Sequence, residues 1–464
     1  MGRNSQLIKN TFIIFVGKFF TQFFSFILVP IYTNFLSTND YGYVDIVQTY
    51  ISLLVPILVL RFDSAIFRFL IDERNNDDKK KETISSTFVF LIAQIFLFIT
   101  FYLLVLRFVS FQYSFAIFLN IIFMSFSSIL LQTCRGLGDN VGYSIGSIIA
   151  GVVTILLNFY FIVYLKLDGS FILISSAIAN AFCSVFLIFR NKIISYINFK
   201  KINYKKTKEM IKYSIPMIPD NLSWWVINAS DRTLISFFIN FAANGIYAVS
   251  CKFSNILTSA FLIFNMSWQE SASLHINDSD CCSFFSNVFN KTYKIIYSIC
   301  LEIMVFIPIV FKLFVGNEYL SSYVHIPILL LGNLYSSLAN MYGGIYVAKK
   351  NTKSVAKTTI LAAVINLIID VILIQKLGLF AASISTFVSY LFLLLYRSID
   401  SKKYVKIRED KKTMIYTNLF FIISSLIYYF YFNNLTFVIL NIILSNAVII
   451  CLNYSTLKKI LKRK

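Results

Sequence analysis

Apolar runs of helix length recur from residue 11 to residue 457, separated by short polar segments. A run of about 18–25 apolar residues crosses a hydrocarbon core of roughly 30 Å as a helix. A membrane β-barrel would show strands of about 10 alternating residues instead. The pattern predicts fourteen spans, at 11–36, 44–70, 84–106, 113–133, 142–165, 170–189, 211–239, 246–270, 292–315, 323–348, 358–375, 380–396, 413–432 and 436–457. The fold class that follows is an all-α polytopic membrane protein of about 14 transmembrane helices. Every loop is short, the longest lying near 190–210 and 271–291, so none has room for a soluble catalytic domain.

Composition supports this pattern and charge orients it. Of 464 residues 58% are apolar and 14% charged, far from soluble averages. The net charge is +20. With the N-terminus inside, the inner segments hold 31 Lys and Arg and the outer loops 3, namely Arg107, Lys166 and Lys376. That asymmetry places both termini in the cytoplasm and accounts for most of the charge without nucleic acid. The first apolar run is too long for a cleavable signal and reads as the first span. The seven cysteines lie in spans or inner loops without metal-ligand spacing, and His275 and His325 are isolated, so neither disulfides nor a metal site are expected.

Weak internal similarity divides the chain. STNDYGYVDIVQTYISLL resembles NFAANGIYAVSCKFSNIL, with Gly42 against Gly245. RGLGDNVGYSIGSIIAG resembles KKNTKSVAKTTILAAV, and VYLKLDGSF resembles ILIQKLGLF. Three matches in order, at offsets near 203, 212 and 209, suggest two parallel six-helix halves. The expected organisation is an N-terminal lobe at 1–190, a basic cytoplasmic linker at 191–210, a C-terminal lobe at 211–397, and an extra helix pair with a basic tail at 398–464.

Ionisable residues inside spans are costly and mark interiors or wet cavities. In the second span, RFDSAIFRF places Arg61 about 15 Å from the inner end and on the same helical face as Arg68. Asp63 points nearly the opposite way on such a helix and is not expected to pair with Arg61. Arg68 either pairs with Asp72 at i+4 or stands at the inner mouth. Lys18, Thr21, Gln22 and Ser25 form a polar stripe on the first span. Lys252, Asn255 and Ser259 form one on the eighth, Lys294, Ser298 and Glu302 one on the ninth, and Asn366 and Asp370 share a face of the eleventh. Interhelical hydrogen bonding explains the Ser, Thr and Asn of these stripes but not the deep cations. A cation-lined cavity suits an anionic substrate, because Arg offers a planar fork and Lys a mobile charge. In the seventh span Pro216 and Pro219 break the inner end ahead of Asp231 and Arg232, marking a candidate gating element.

With these motifs the chain resembles the polysaccharide repeat-unit (Wzx-type) flippases of the MOP exporter superfamily. The resemblance rests on FLSTNDYGYVDIV, RFDSAIFR, IPMIPDNLSWWVINASDRTLISFFINFAANGIYAVSCKFS, FNMSWQESA and LIQKLGLFAASISTFVSYL, and covers about residues 1–400. It implies two MATE-like six-helix lobes rocking around a central cavity in the bacterial inner membrane. It implies a cargo of oligosaccharide on polyprenyl diphosphate, flipped to the outer leaflet for O-antigen, capsule or exopolysaccharide. Lys18, Arg61 and Lys252 would hold the diphosphate, and Arg68 and Lys294 would attract it at the inner mouth. Asp63, Glu302 or Asp370 would couple to H⁺ or Na⁺, with no other cofactor. Partners would be membrane lipids, a polysaccharide polymerase and a chain-length regulator.

Three other readings compete. A peptidoglycan lipid-precursor flippase shares the fold and the diphosphate. A multidrug/toxin antiporter predicts an acid-dominated cavity. A glycan polymerase or glycosyltransferase finds superficial support in Asp278-Ser279-Asp280, which sits in a short loop without a surrounding domain.

Overall fold

A computed structural model of the chain describes Gly17, Phe20, Thr21 and residues 23–349 and 351–461. Among these residues the structure is helical throughout, without strands. The helices are α1 (Phe23–Phe35), α2 (Thr38–Leu58), α3 (Phe62–Glu73), α4 (Asp77–Leu106), α5 (Ser114–Leu137), α6 (Asn140–Asn158) and α7 (Ser170–Arg190). There follow α8 (Ile193–Tyr196), α9 (Tyr204–Ser214), α10 (Ile218–Phe238), α11 (Phe241–His275), α12 (Cys281–Phe314), α13 (Ile326–Ala348), α14 (Thr352–Leu377), α15 (Leu379–Asp400), α16 (Lys411–Tyr431) and α17 (Leu435–Leu461).

Among the described residues eleven helices are long and apolar enough to cross a bilayer. The shorter α1, together with α10 and α13, occupies the remaining predicted spans. α13 is buried along nearly all its length and carries Gly332, Ser336, Ser337, Gly343 and Gly344. A helix that meets other helices rather than lipid gains from small residues that allow close approach, not from greasy ones.

The chain divides into two compact units, 1–229 and 230–464, with the boundary inside α10. The basic segment 191–210 falls in the first unit.

Equivalent helices in the two units start with equivalent caps. The Ser37 side chain accepts from Asp40 N ahead of α2, and Asn240 from Ala243 N ahead of α11. Asp139 caps α6 and Asn351 caps α14 in the same way. Each cap satisfies an orphan N–H at a helix start.

In the first unit α3 supplies a stripe of Phe62, Ala65, Ile66 and Leu70 to a core with Ile84, Phe88 and Leu91 of α4, and Ile129, Leu130 and Cys134 of α5. Phe62 stacks on Phe90 with ring centroids 3.9 Å apart. Gly136 lets α5 approach α3, because a Cβ there would stand 2.7 Å from Leu70 Cβ. Arg74 closes the same contact by donating to the carbonyls of Gly136 and Arg135 at 2.8 and 3.0 Å.

The second predicted span is not one helix. α2 stops at Leu58, and Leu60 and Arg61 adopt left-handed φ of 47° and 56° before α3 begins. Pro56 lies inside the last turn of α2, and its carbonyl accepts from Arg61 N at 2.9 Å. Arg61 and Arg68 therefore do not share a face of one continuous helix, and the depth expected for Arg61 along such a helix does not hold. The seventh span is broken as expected: a 3₁₀ turn at Ile215–Met217, containing Pro216, separates α9 from α10.

Candidate functional site

Two polar clusters stand out, one in each unit. The first is built on the break between α2 and α3. Two successive left-handed residues that are neither Gly nor Asn cost on the order of 1–3 kcal/mol each, and such strain gathers at functional sites. The break lifts Arg61 out of the helical register and turns its guanidinium onto three partners. Nη1 donates to Asn221 Oδ1 of α10 at 3.0 Å, and Nη2 to Ser64 Oγ at 2.7 Å. Nε lies 3.5 Å from Asp63 Oδ1. The expectation that Asp63 faces away from Arg61 is thus overturned, because it assumed helical geometry that Arg61 does not have.

The Arg61 and Asp63 side chains keep 22% and 20% of their exposure, so the pair is sheltered but reachable. Neither Arg61 Nε nor Asp63 Oδ1 has a well-aligned hydrogen bond of its own.

Arg68, by contrast, is an exposed surface ion pair, with Nη1 2.6 Å from Asp72 Oδ1. Arg135 of α5 rests on the rings of Phe67 and Tyr143, at 4.4 and 5.4 Å. Lys18 and Gln22 lie outside the described residues. The Thr21 and Ser25 hydroxyls of the same stripe turn back onto their own helix, to the carbonyls of Gly17 and Thr21.

The second cluster is acidic and lies within intact helices. Asp231 of α10 is 5% exposed and Asp370 of α14 is fully buried. Asp231 Oδ2 accepts from Tyr247 at 3.0 Å and from Thr386 at 2.7 Å, while its Oδ1 has no donor. Among the described residues neither oxygen of Asp370 has a donor. Asp231 and Ser385 act on its carboxyl group, which in turn acts on Tyr247. The Ser385 proton is already committed to the carbonyl of Ala382, and its oxygen accepts from Asn366. Asn366 in turn accepts from Ser230 at 3.1 Å.

Among the described residues these two buried carboxyl groups leave three oxygens without a donor, an arrangement that is costly when both are ionised. The sequence reading named Asp370 for ion coupling but placed Asp231 with the gating residues; the fold brings the two together. No spacing rule links positions 139 residues apart, although the Asn366–Asp370 stripe pointed to one half of the cluster.

Lys252 is half-buried on α11, where its stripe neighbour Asn255 meets Asn333 at 3.4 Å. Of Lys294, Ser298 and Glu302 on α12, Ser298 meets α17, whose Asn453 donates to Ser298 Oγ at 2.9 Å, while Lys294 acts on Asp410. Arg232 and Glu302 are half-buried. His325 is a packing residue between Ser383 and Phe380. In the Asp278-Ser279-Asp280 loop, Asp278 is held by His275 Nδ1 at 2.6 Å. Among the described residues no group of His, Cys, Asp and Glu has the makings of a three-ligand metal site.

The fold defines a class. A MATE family multidrug resistance transporter of the MOP superfamily, in its inward-facing conformation, aligns at TM-score 0.69 and 11% identity, covering 82% of this chain and 95% of its own. The lipid II flippase MurJ, in an inward closed conformation, aligns at TM-score 0.69 and 16% identity, covering 98% of this chain and 100% of its own. A Pyrococcus furiosus MOP superfamily transporter described by a binding pocket of reverse polarity aligns at TM-score 0.57 and 13% identity, over 85% and 95%. At these identities the likeness is one of fold, the MOP transporter fold. The chain itself belongs to the polysaccharide biosynthesis protein family, whose family model matches residues 7–268. No curated protein matches the chain.

Proposed function

We propose that this protein flips a polyprenyl-diphosphate-linked oligosaccharide from the cytoplasmic to the outer leaflet of the bacterial inner membrane. The product would feed a surface polysaccharide such as O-antigen, capsule or exopolysaccharide. The observation that carries this reading is the Arg61 cluster in a chain of the polysaccharide biosynthesis family. A guanidinium half-sheltered within an apolar unit, held by a weak ion contact, is suited to a diphosphate. Asp63 keeps it in place while the site is empty, and the more highly charged ligand displaces the carboxylate. Lys18 and Lys252 are the further cations assigned to the diphosphate, with Arg68 and Lys294 drawing it in.

The acid cluster is assigned to energy coupling. One proton shared between Asp231 and Asp370, or one Na⁺ on their oxygens with Asn366 and Thr386, would relieve the like-charge contact. Loss of that ion would alter the packing of α10 against α14 and α15. Pro216 and the 3₁₀ turn before α10 would supply the flexible point for such a movement. Nothing in this scheme requires bond-making catalysis or any other cofactor. The positive-inside pattern supports cytoplasmic termini, and a polymerase and chain-length regulator would take the product.

The test is genetic and chemical together. A host lacking this chain is expected to lose surface polysaccharide and to accumulate the lipid-linked repeat unit on the cytoplasmic side. Wild type restores the polymer and Arg61→Ala does not, at equal protein level. A second reading, flipping of a peptidoglycan lipid precursor, is favoured by the alignment of a lipid II flippase over 98% of the chain. Growth rescue of cells depleted of their own lipid II flippase, without any effect on surface polysaccharide, would shift the assignment to that substrate.

A further inference from the structure

A third feature lies outside both clusters, on the segment from Ile193 to Ser214 in the first unit. It leaves the inner end of α7 and runs through α8, a 3₁₀ turn at Phe199–Lys201, and α9. One side of it is pinned to α3 and α4. Ser85 Oγ donates to Tyr196 O at 3.2 Å and accepts from Asn198 N at 2.8 Å. Ser86 Oγ accepts from Asn203 N at 3.0 Å, and Asn203 Nδ2 donates to Glu82 at 2.6 Å. Lys201 pairs with Asp78 and Lys206 with Glu73, while buried Met210 anchors α9 in the core.

The other side offers the opposite surface. Lys200, Lys205, Lys208 and Lys212 are exposed, and among the described residues none of them pairs with a carboxylate. Lys205, Lys208 and Lys212 stand at i, i+3 and i+7, one stripe of α9. Tyr204 and Tyr213 flank that stripe, and Phe199 and Ile202 stand beside Lys200, with Phe199 71% and Tyr204 81% exposed. An open cleft of about 420 Å³ lies at the same place, lined by Lys200, Lys201, Ile202, Asn203 and Tyr204 with Asp78 and Glu82. Residues 199–213 hold six lysines and one glutamate.

Exposed aromatics beside unpaired lysines are unfavourable in water but suit the boundary between headgroups and acyl chains. The polar pinning to α4 orders this face in advance, so binding does not have to fold it. We infer that the segment is a membrane-surface foot that binds anionic phospholipid headgroups of the cytoplasmic leaflet. Lys200, Lys205, Lys208 and Lys212 contact the phosphates, and Phe199, Ile202 and Tyr204 enter the boundary layer. A basic strap of this kind reads the negative surface of that leaflet. This inference does not depend on the cargo assigned above.

The test uses the full chain in detergent, titrated with phosphatidylglycerol or phosphatidylcholine and read by native mass spectrometry. Wild type is expected to retain phosphatidylglycerol in preference. Replacing Lys200, Lys205, Lys208 and Lys212 together by Gln lowers that retention by roughly fivefold per lysine and leaves phosphatidylcholine unchanged. The same four changed to Arg keep the preference, which separates charge from folding. A control set, Lys353, Lys357, Lys402 and Lys406 changed to Gln, is expected to lose little. Equal retention of the two lipids by wild type, an undiminished preference in the first Gln variant, or an equal loss in the control set would each overturn the inference.

Discussion

The Arg61 cluster and the Asp231–Asp370 cluster solve the problem of charge in a membrane in opposite ways. Arg61 stands on a helix break, keeps 22% exposure, and is held by hydrogen bonds to Asn221 and Ser64 with a looser contact to Asp63. The two acids stand on unbroken helices, are buried, and lack donors for three oxygens. The difference teaches what each can exchange. On the reading proposed above, the half-sheltered cation on strained backbone would trade Asp63 for a large anion. On the same reading the buried acid pair on regular helices would exchange only a proton or a small cation.

The sharpest way to break this comparison is at Arg61. Arg61→Ala is expected to cut transport by roughly 30-fold or more, the scale for removing one partner of a desolvated charged contact. Arg61→Lys keeps the charge but loses the fork, and is expected to fail as well. The readout is surface polysaccharide at equal protein level. Full activity of both variants would remove Arg61 from the substrate site.

The acid cluster gives the next effect. Asp370→Asn removes the like charge, so ion-gradient dependence of transport is expected to vanish while thermal stability holds or rises. Asp231→Asn is expected to be less stable than Asp370→Asn, by about 1–3 kcal/mol, because Asp231 Oδ2 holds two hydroxyl donors. Melting in detergent, with transport driven by either Na⁺ or a pH gradient, separates the two variants. Unchanged gradient dependence in Asp370→Asn would leave the cluster as a packing feature.

A smaller effect tests the scaffold that carries the first cluster. At its inner end Arg190 Nε bonds Asp139 Oδ2 at 2.6 Å, and Gly142 N donates to Asp139 Oδ1 at 2.8 Å. A Cβ at residue 142 would stand 2.2 Å from Asp139 Oδ2 and 2.7 Å from Arg190 Nε. Gly142→Ala is expected to break this lock and cost about 1–3 kcal/mol, read as a lower melting temperature. Burial alone would raise the Asp139 carboxyl, but the bonds from Arg190 and Gly142 outweigh it and hold it below the usual range. Its folded value is thus lower than its unfolded one. The stabilisation is present above the ordinary Asp pKa of about 3.9 and is lost as pH falls through the lowered value. Gly142→Ala should flatten that acid limb.

The smallest effect is expected at Arg68. Its pair with Asp72 is exposed, and Arg68→Gln should change transport by roughly twofold or less, since surface ion pairs contribute little. A large loss would return Arg68 to the inner mouth as a functional cation.

Much of the architecture was legible along the chain because lipid imposes it. A residue facing hydrocarbon must be apolar, and a segment that spans by itself must satisfy its own backbone as a helix. Both ends of α7 and the outer ends of α4 and α5 could be read closely from that rule alone. Short-range pairs were legible as well: Arg68 and Asp72, four apart on a regular helix, meet as helical geometry requires. Helical geometry misled at Arg61, where neither Gly nor Asn announces the left-handed turn. Pro56, five residues earlier, was the available signal.

The sequence by itself determined the helix-length spans, the distribution of basic residues between loops, and the residue types available for an anion and a cation. Those follow from solvation, which acts on each residue separately. Only the tertiary structure decided partnership. It joined Arg61 to Asn221 across 160 positions, Asp231 to Thr386 across 155, and Ser85 to Asn198 across 113. Burial inside a helical unit strips water from these groups, so each must find its partner in whichever helix packs beside it. That choice is made by side-chain shape and close approach, as where Gly136 admits Leu70, and not by spacing along the chain.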